Sequence, residues 1–276
     1  MKKVSEEIEG TEKEFLDIFK TLCYSRNAWQ VWTDLISAMA CSLSNATDRT
    51  PGRYEQREKE YEQCIKRLGS VEVPSKLMAI VVMALEKNLE QDFLGKIFMN
   101  LNLGNHWKGQ FFTPYSVCKC MSEITIGTEA EEKLKQRGYI AVSDPACGAG
   151  ATLIAAANVF RARKINYQNQ VLFVAQDVDR VAGLMCYIQL SLLGCPGYIV
   201  IANTLTNPTV GTTLQPIEKE GQEFWYTPFF STKVWQFRRA METMELLIGS
   251  VPPPEPIKLR GGFMFEFEEG GVCDAV

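Results

Sequence analysis

The sequence predicts an α/β fold in which a doubly wound, mainly parallel β-sheet follows a helical N-terminal region. From Gly138 onward, strand-like apolar runs alternate with longer helical ones, and this β-α-β-α-β order is typical of a parallel sheet. Over residues 1–100, apolar residues instead recur at intervals of three and four, the period of an amphipathic helix. We therefore expect a helical region over 1–105 and an α/β domain over 106–276.

The helical region is expected to supply a large part of the core. In the segment 14–43, the helical period places Phe15 and Trp32 on the apolar, inward face. Two further helical patterns follow a polar break. In the second of them, Pro74–Ser75 is expected to mark the start of the helix and Gly104 its end.

The chain after the third strand carries a weaker pattern. A loop leads to strand-like residues at 223–226, and a helical pattern follows over 232–248. The Pro-rich residues 251–256 are expected to form a rigid spacer. Residues 261–269 again resemble a strand, so the predicted sheet has about five strands.

Composition excludes several classes of protein. A chain of 276 residues with 46% hydrophobic content is large enough to bury a substantial core. Its net charge of -4 argues against a wholly basic nucleic-acid-binding protein, although a local basic face or a partner subunit can still contact DNA. Nine scattered cysteines and no recognisable leader predict a cytoplasmic protein with free thiols. No membrane span and no metal site are predicted.

The first predicted strand runs into a glycine turn. It ends in Asp144, and Gly148 and Gly150 follow before the next helix. Glycines at such a turn allow a ligand to approach the backbone closely. The acid would repel a pyrophosphate, so it suits the ammonium or sulfonium group of a cationic ligand. A tight turn without a ligand remains the alternative.

Polar residues also end the next two strands. Asp177 lies about thirty residues after the glycines, where doubly wound nucleotide-binding folds place an acid for ribose hydroxyls. The third strand ends in Asn203, whose amide suits an adenine edge. Asp177 or Asp179 could instead cap the following helix. Three polar strand ends at one sheet edge together favour a nucleoside-type cofactor.

Two stretches carry specific motifs, DPACGAGATL at 144–153 and GQFFTPYSV at 109–117. They resemble the D-P-A-C-G-S-G-G-x-L and G-Q-F-[FY]-T-P-x-x-[VI] motifs of the N6-adenine DNA methyltransferases, specifically the modification subunits of type I restriction–modification systems. The resemblance extends over roughly residues 90–205. It implies a Rossmann-like methyltransferase sheet, here with fewer strands than usual, and S-adenosylmethionine as cofactor.

The resemblance also implies roles for individual residues. Those beside the methionine end of the cofactor would be Phe111, Phe112 and Thr113. The loop that holds its amino-acid portion would comprise Asp144, Ala146, Cys147, Gly148 and Gly150, with Cys147 a small packed residue rather than a nucleophile. Asp177 would bind the ribose and Asn203 would lie near the adenine.

Methyl transfer to adenine N6 is carried in this family by an Asn/Asp-Pro-Pro-Tyr/Phe loop. Its side chain and a backbone carbonyl accept the amino hydrogens, and its aromatic ring stacks on the flipped base. The segment EFWYTPFFS at 223–231 occupies the corresponding position. Alignment of T-P-F-F with N-P-P-F assigns this loop to Thr227, Pro228, Phe229 and Phe230.

Thr227 differs from the Asn or Asp that this loop has in the family, and the difference bears on methyl transfer. A hydroxyl is shorter than the Asn amide, and loss of a positioned acceptor lowers the rate by about 10²–10³ in comparable sites. Two alternatives remain. The segment is a Pro-aromatic turn that packs on Trp225 or Trp235, or the Asn-Pro at 207–209 is the motif, although Asn-Pro is also an ordinary turn former.

The leading hypothesis is therefore adenine-N6 methylation of DNA, through or together with a separate specificity or partner subunit. A catalytically weak, methyltransferase-like binding or regulatory subunit is the main alternative. A methyltransferase with another acceptor is the third. An oligomer or hetero-complex is compatible with each of them.

Overall fold

The computed structural model describes residues 2–101, 103, 112–127 and 129–248 of the chain. The helical N-terminal region is confirmed. Its helices are α1 (Lys2–Leu22), α2 (Ala28–Thr47), α3 (Arg53–Leu68), α4 (Glu72–Lys87) and α5 (Phe93–Asn100). Pro74 lies in the first turn of α4, where its missing N–H costs no hydrogen bond. Gly104, the expected helix end, lies outside the described residues.

Local signals account for several helix ends. The Asn27 side chain accepts a hydrogen bond from the Gln30 N–H and caps α2. The Asp92 side chain caps α5 in the same way, through the N–H of Gly95. At the other end of α3, Gly69 adopts the left-handed conformation that closes a helix.

The α/β part begins with two helices and continues as alternating strands and helices. Its elements are α6 (Tyr115–Thr125), α7 (Glu129–Arg137), β1 (Ile140–Asp144), α8 (Ala151–Ala162), α9 (Tyr167–Gln170), β2 (Val171–Asp177), α10 (Arg180–Leu192) and β3 (Gly197–Ile201). They are followed by β4 (Val210–Gly211), β5 (Pro216–Ile217), β6 (Glu223–Tyr226), a 3₁₀ turn (Pro228–Ser231) and α11 (Lys233–Ile248). The strand-like residues 261–269 and the Pro-rich spacer lie outside the described residues.

The main sheet has the order β1-β2-β3-β6. Strands β1, β2 and β3 are parallel, with Asp144 beside Ala175 and Asp177 beside Ile201. The mainly parallel α/β fold is therefore confirmed. β6 pairs with β3 in the antiparallel sense, and β4 and β5 form a separate two-stranded sheet.

The direction of β6 follows from the connection that precedes it. A parallel strand needs a crossover, usually a helix, to return the chain to the opposite sheet edge. Residues 203–222 form no helix, only turns and the two short strands β4 and β5. The chain therefore enters β6 from the edge at which β3 ends and runs back beside it.

The N-terminal helices and the sheet share one apolar core. One cluster of buried side chains includes Phe15 and Trp32 from the helices and Val142 and Phe173 from the sheet. Helix α10 lies between the sheet and α2 and is buried along its length. A second cluster, which includes Phe230 and Trp235, covers the other face of the sheet. The expected boundary at 105/106 falls outside the described residues and stays a prediction.

No single described helix is both long enough and apolar enough to cross a bilayer. The bent pair of α3 and α4 passes that test on length and composition only.

Candidate functional site

The glycine loop between β1 and α8 is packed too closely for side chains at two positions. Gly148 and Gly150 have φ of +53° and +94°, in the left-handed region that favours glycine. A Cβ on Gly148 would lie 3.0 Å from the Phe112 ring, and one on Gly150 would lie 2.8 Å from the Cys186 sulfur. The two glycines therefore serve both the turn and the close packing around it.

Asp144 stands at the start of this loop. Its Oδ1 accepts a hydrogen bond from the N–H of Ala146 at 3.1 Å. Burial raises the pKa of Asp144, and the neighbouring charge of Asp177 adds to that rise. A cationic ligand group next to Asp144 would therefore stabilise the charged form of this carboxylate.

Asp177 ties the end of β2 to the glycine loop. Its Oδ2 accepts from the Gly148 N–H and its Oδ1 from the Asp179 N–H, both at 2.8 Å. Burial raises the pKa of Asp177 as well. The cap of α10 is Asp179, which accepts from the N–H groups of Val181 and Ala182. Of the two acids considered for that capping role, Asp177 is the one placed against the glycine loop instead.

Asn203 follows β3 at the same sheet edge and is exposed. Its Oδ1 accepts from the N–H groups of Leu205 and Thr206, at 2.9 and 3.2 Å. The next residue, Thr204, donates its hydroxyl to the Pro145 carbonyl at 2.6 Å. The loop after β3 is thereby joined to the glycine loop.

Part of the GQFFTP motif lies beside the glycine loop. Phe112 is half-buried between Gly148 and Phe98, with the two rings 5.2 Å apart. Thr113 is exposed, and its carbonyl accepts a long hydrogen bond from the Cys118 thiol at 3.7 Å. Phe111 lies outside the described residues.

Cys147 is buried within the loop. Its backbone N–H donates to the Gln176 carbonyl at 3.0 Å. A hydrogen bond with the Cys186 thiol, together with burial, raises the pKa of Cys147. The sulfur is therefore held as a neutral thiol, not as the thiolate that nucleophilic catalysis needs.

The T-P-F-F segment lies at the opposite edge of the sheet, which corrects its expected position beside the cofactor loop. Thr227 pairs with Gly197, the first residue of β3. Asp144, Asp177 and Asn203 lie at or just after the last residues of their strands. At about 3.3 Å per residue, the five residues of β3 separate the two edges by about 16 Å.

The groups of this segment are also engaged in packing. The Thr227 hydroxyl accepts from the Gly197 N–H at 3.0 Å and donates to the Cys195 carbonyl at 2.7 Å. Pro228 opens the 3₁₀ turn, and Phe230 stacks on Tyr226 with 5.3 Å between ring centroids. The Phe229 ring packs over Gly194. These contacts are those of a Pro-aromatic turn, as in the first alternative, but the rings pack on Tyr226 and Gly194, and Phe230 shares a buried cluster with Trp235.

The Asn-Pro at 207–209 does lie near the cofactor edge, held by Gln176 of β2. The Asn207 carbonyl accepts from Gln176 and Gln222, and the Pro208 carbonyl also accepts from Gln222, at 3.0–3.1 Å. The Asn207 amide donates to the Glu220 carbonyl at 3.0 Å. Both carbonyls and one of the two amide N–H groups are occupied, as in an ordinary structural turn.

Gln189 also contributes to the site, although the sequence alone did not predict it. Gln189 of α10 is fully buried and donates to the Ala149 carbonyl, in the middle of the glycine loop, at 2.9 Å. A polar residue at a position where the helical period predicts burial is the signal that could have found it.

Comparison with known proteins identifies a family for this chain. Residues 91–258, more than half of the chain, match the family model described as N-6 DNA Methylase. No curated protein matches. Among solved structures, the methyltransferase subunit of a type I restriction–modification system from Streptococcus thermophilus matches with 14% identity and a TM-score of 0.38. That match covers 74% of this chain but only 59% of the bacterial subunit. By the family match, this chain belongs to the N-6 DNA methylase family.

Proposed function

We propose that this chain binds S-adenosylmethionine at the carboxyl edge of β1, β2 and β3 and serves the methylation of adenine N6 in DNA. The observation that supports the cofactor most directly is the bond between Asp177 and the Gly148 N–H at 2.8 Å. It holds Asp177 against the loop that begins at Asp144 and contains Gly148 and Gly150. S-adenosylmethionine supplies a methyl group on a positively charged sulfur, and this edge offers negative charge.

Each residue has a group suited to one part of the cofactor. Asp144 would face the cationic amino-acid portion, where its raised pKa makes a positive neighbour favourable. The Asp177 carboxylate accepts the N–H groups of Gly148 and Asp179 and has further lone pairs suited to a ribose hydroxyl. Asn203 uses its oxygen within the loop, so its amide N–H groups are the ones suited to adenine. Phe112 would cover the methionine end.

Calorimetric titration with S-adenosylmethionine tests this site. Asp177→Asn and Asp144→Asn are expected to weaken binding at least about tenfold, the loss of one charge-assisted contact. Glu218→Gln is the matched control, since Glu218 is an acid that pairs with Arg53 and Tyr226 away from the loop. An unmodified chain that does not bind the cofactor would refute the proposal.

The position of Thr227 favours a second candidate function. Because T-P-F-F lies at the other sheet edge with its hydroxyl engaged, it cannot accept the amino hydrogens of a base held near the cofactor. The chain would then be a cofactor-binding or regulatory subunit, and the base contacts would come from residues outside the described ranges or from a partner that also recognises DNA.

Transfer of a tritiated methyl group to unmethylated DNA separates the two candidates. The binding-subunit candidate predicts that neither the natural chain nor Thr227→Asn labels adenine while both bind the cofactor. Labelling by the natural chain alone would establish the enzyme. A large gain in Thr227→Asn would show that the T-P-F-F segment reaches the base after all.

A further inference from the structure

Gln189 of α10 joins the glycine loop to the helical region by hydrogen bonds on three sides. Its Nε2 donates to the Ala149 carbonyl at 2.9 Å and to Asp92 Oδ1 at 2.7 Å. Its Oε1 accepts from the Leu94 N–H at 3.1 Å. The amide orientation follows from its partners, because a backbone N–H can only donate and a carbonyl can only accept.

The other end of this connection is the start of α5. Asp92 caps that helix through the Gly95 N–H at 2.8 Å. Both Asp92 and Gln189 are buried, and buried polar groups that lose a partner are costly. A single amide therefore connects the cap of α5 to the carbonyl of the glycine loop.

A second set of contacts also connects α5 to the glycine loop. Phe98 of α5 packs on Phe112, and Phe112 packs against Gly148. Helix α5 is thus linked to the loop at Ala149 through Gln189 and at Gly148 through the phenylalanine pair. The two contacts hold adjacent loop residues against one helix.

We propose that Gln189 is a positioning residue that holds the glycine loop in its cofactor-binding conformation through the Ala149 carbonyl. Gln189 does not touch the cofactor site itself. It fixes the backbone that lines it and couples that backbone to α5. This inference rests on the proposed binding of S-adenosylmethionine at the loop.

The decisive comparison separates the two ends of the Gln189 amide. Asp92→Ala removes the cap of α5 and one acceptor of Gln189, but Gln189 can still donate to the Ala149 carbonyl and accept from the Leu94 N–H. Gln189→Met removes all three bonds of Gln189 and leaves the Asp92 cap in place. Only Gln189→Met deprives the Ala149 carbonyl of its N–H donor.

The measurements are the urea midpoint of unfolding and the dissociation constant for S-adenosylmethionine. Gln189→Met is expected to lower the midpoint and to weaken binding by about tenfold or more. Asp92→Ala is also expected to lower the midpoint but to keep most of the affinity. Equal losses of affinity in Asp92→Ala and Gln189→Met would show that Gln189 only stabilises the fold, and would overturn the proposal.

Asn158→Leu is the matched control. Asn158 is also a buried amide, and it donates to the Leu89 carbonyl and the Tyr115 hydroxyl rather than to the glycine loop. It should lower the midpoint and leave the affinity of the folded chain unchanged. Equal losses of affinity in Asn158→Leu and Gln189→Met would count against a specific role for Gln189. Absence of binding in the natural chain would instead refute the proposed function.

Discussion

Two acids at the sheet edge are held where burial opposes their charge. The pKa values of Asp144 and Asp177 are both raised by desolvation, and each carboxylate accepts backbone hydrogen bonds that partly offset it. A group whose pKa is higher in the folded than in the unfolded state contributes stability at low pH and loses it as pH rises through the folded value. At neutral pH, the two charged acids therefore lower the free energy of unfolding. The same buried negative charge makes the site attract cations.

Asp144→Asn is expected to separate these two effects. Asn retains the acceptor for the Ala146 N–H and removes the buried charge, so the variant should unfold at an equal or higher urea concentration at pH 7. Its advantage should vanish in acid, where Asp144 of the natural chain is protonated. The affinity for S-adenosylmethionine should fall, and it should depend less on pH. A variant that is less stable at pH 7 and binds S-adenosylmethionine with unchanged affinity would contradict this account.

Thr227 illustrates how one hydroxyl can fix the end of a strand. Its bonds to the Gly197 N–H and the Cys195 carbonyl hold the end of β6 against the start of β3. The side chain is 1% exposed. Removal of the hydroxyl would withdraw a hydrogen bond from each of these two buried partners, and such losses are costly.

Thr227→Val should lower the free energy of unfolding by about 1–3 kcal/mol, since it keeps the shape and removes both bonds. The affinity for S-adenosylmethionine should not change, because the residue lies at the far edge of the sheet. Urea denaturation and calorimetry measure the two quantities. Weaker cofactor binding in a fully folded variant would place Thr227 near the cofactor.

At the scale of elements, β6 is held by arginines from two helices. Arg57 of α3 donates to the Phe224 carbonyl at 2.6 Å, and its guanidinium lies 4.0 Å from the centroid of Trp225. Arg180 of α10 forms a two-bond pair with Glu223, at 2.8 Å each. These contacts join β6 to the helical region. An edge strand of only four residues depends on such contacts for its stability.

Arg57→Leu should therefore lower the free energy of unfolding by roughly 2–3 kcal/mol through the lost carbonyl bond and ring contact. Amide hydrogen exchange of β6 should become faster before that of β1. Lys59→Leu on the same helix is the control, because Lys59 is exposed and should change either quantity little. Unchanged protection of β6 in Arg57→Leu would refute the role of this arginine.

At the scale of the whole molecule, α10 makes the two predicted regions depend on each other. The side chains of Leu184, Tyr187 and Ile188 are completely buried, between the sheet and the N-terminal helices. One continuous apolar cluster spans both regions. Removal of the helices would expose this face to water.

A chain that begins at residue 106 should consequently fail to fold cooperatively, even though the sheet is intact in its sequence. We expect it to retain far-UV circular dichroism, lose near-UV signal and bind a hydrophobic dye. A sharp, two-state urea transition for this fragment would show that the α/β part is an independent domain.

Much of the site could be predicted from the sequence because its signals are local. Asp144, the two glycines and Asp177 each follow a strand whose apolar run is visible in the chain, and parallel strands bring their ends to one edge. The direction of β6 could not be read from EFWY itself, since a strand-like run of four residues specifies a strand but not its orientation. The absence of a helical pattern over 203–222 was the available sign that β6 is antiparallel to β3.

The sequence by itself determined the helical region, the parallel strands and the polar residues at their ends, because these depend on residues close in the chain. Only the tertiary structure decided that Thr227 lies across the sheet from the cofactor loop, and that Gln189 joins Ala149 to Asp92. The partners of Gln189 lie 40 and 97 residues away in the chain. Such pairings arise from packing between elements, which no local period of the sequence encodes.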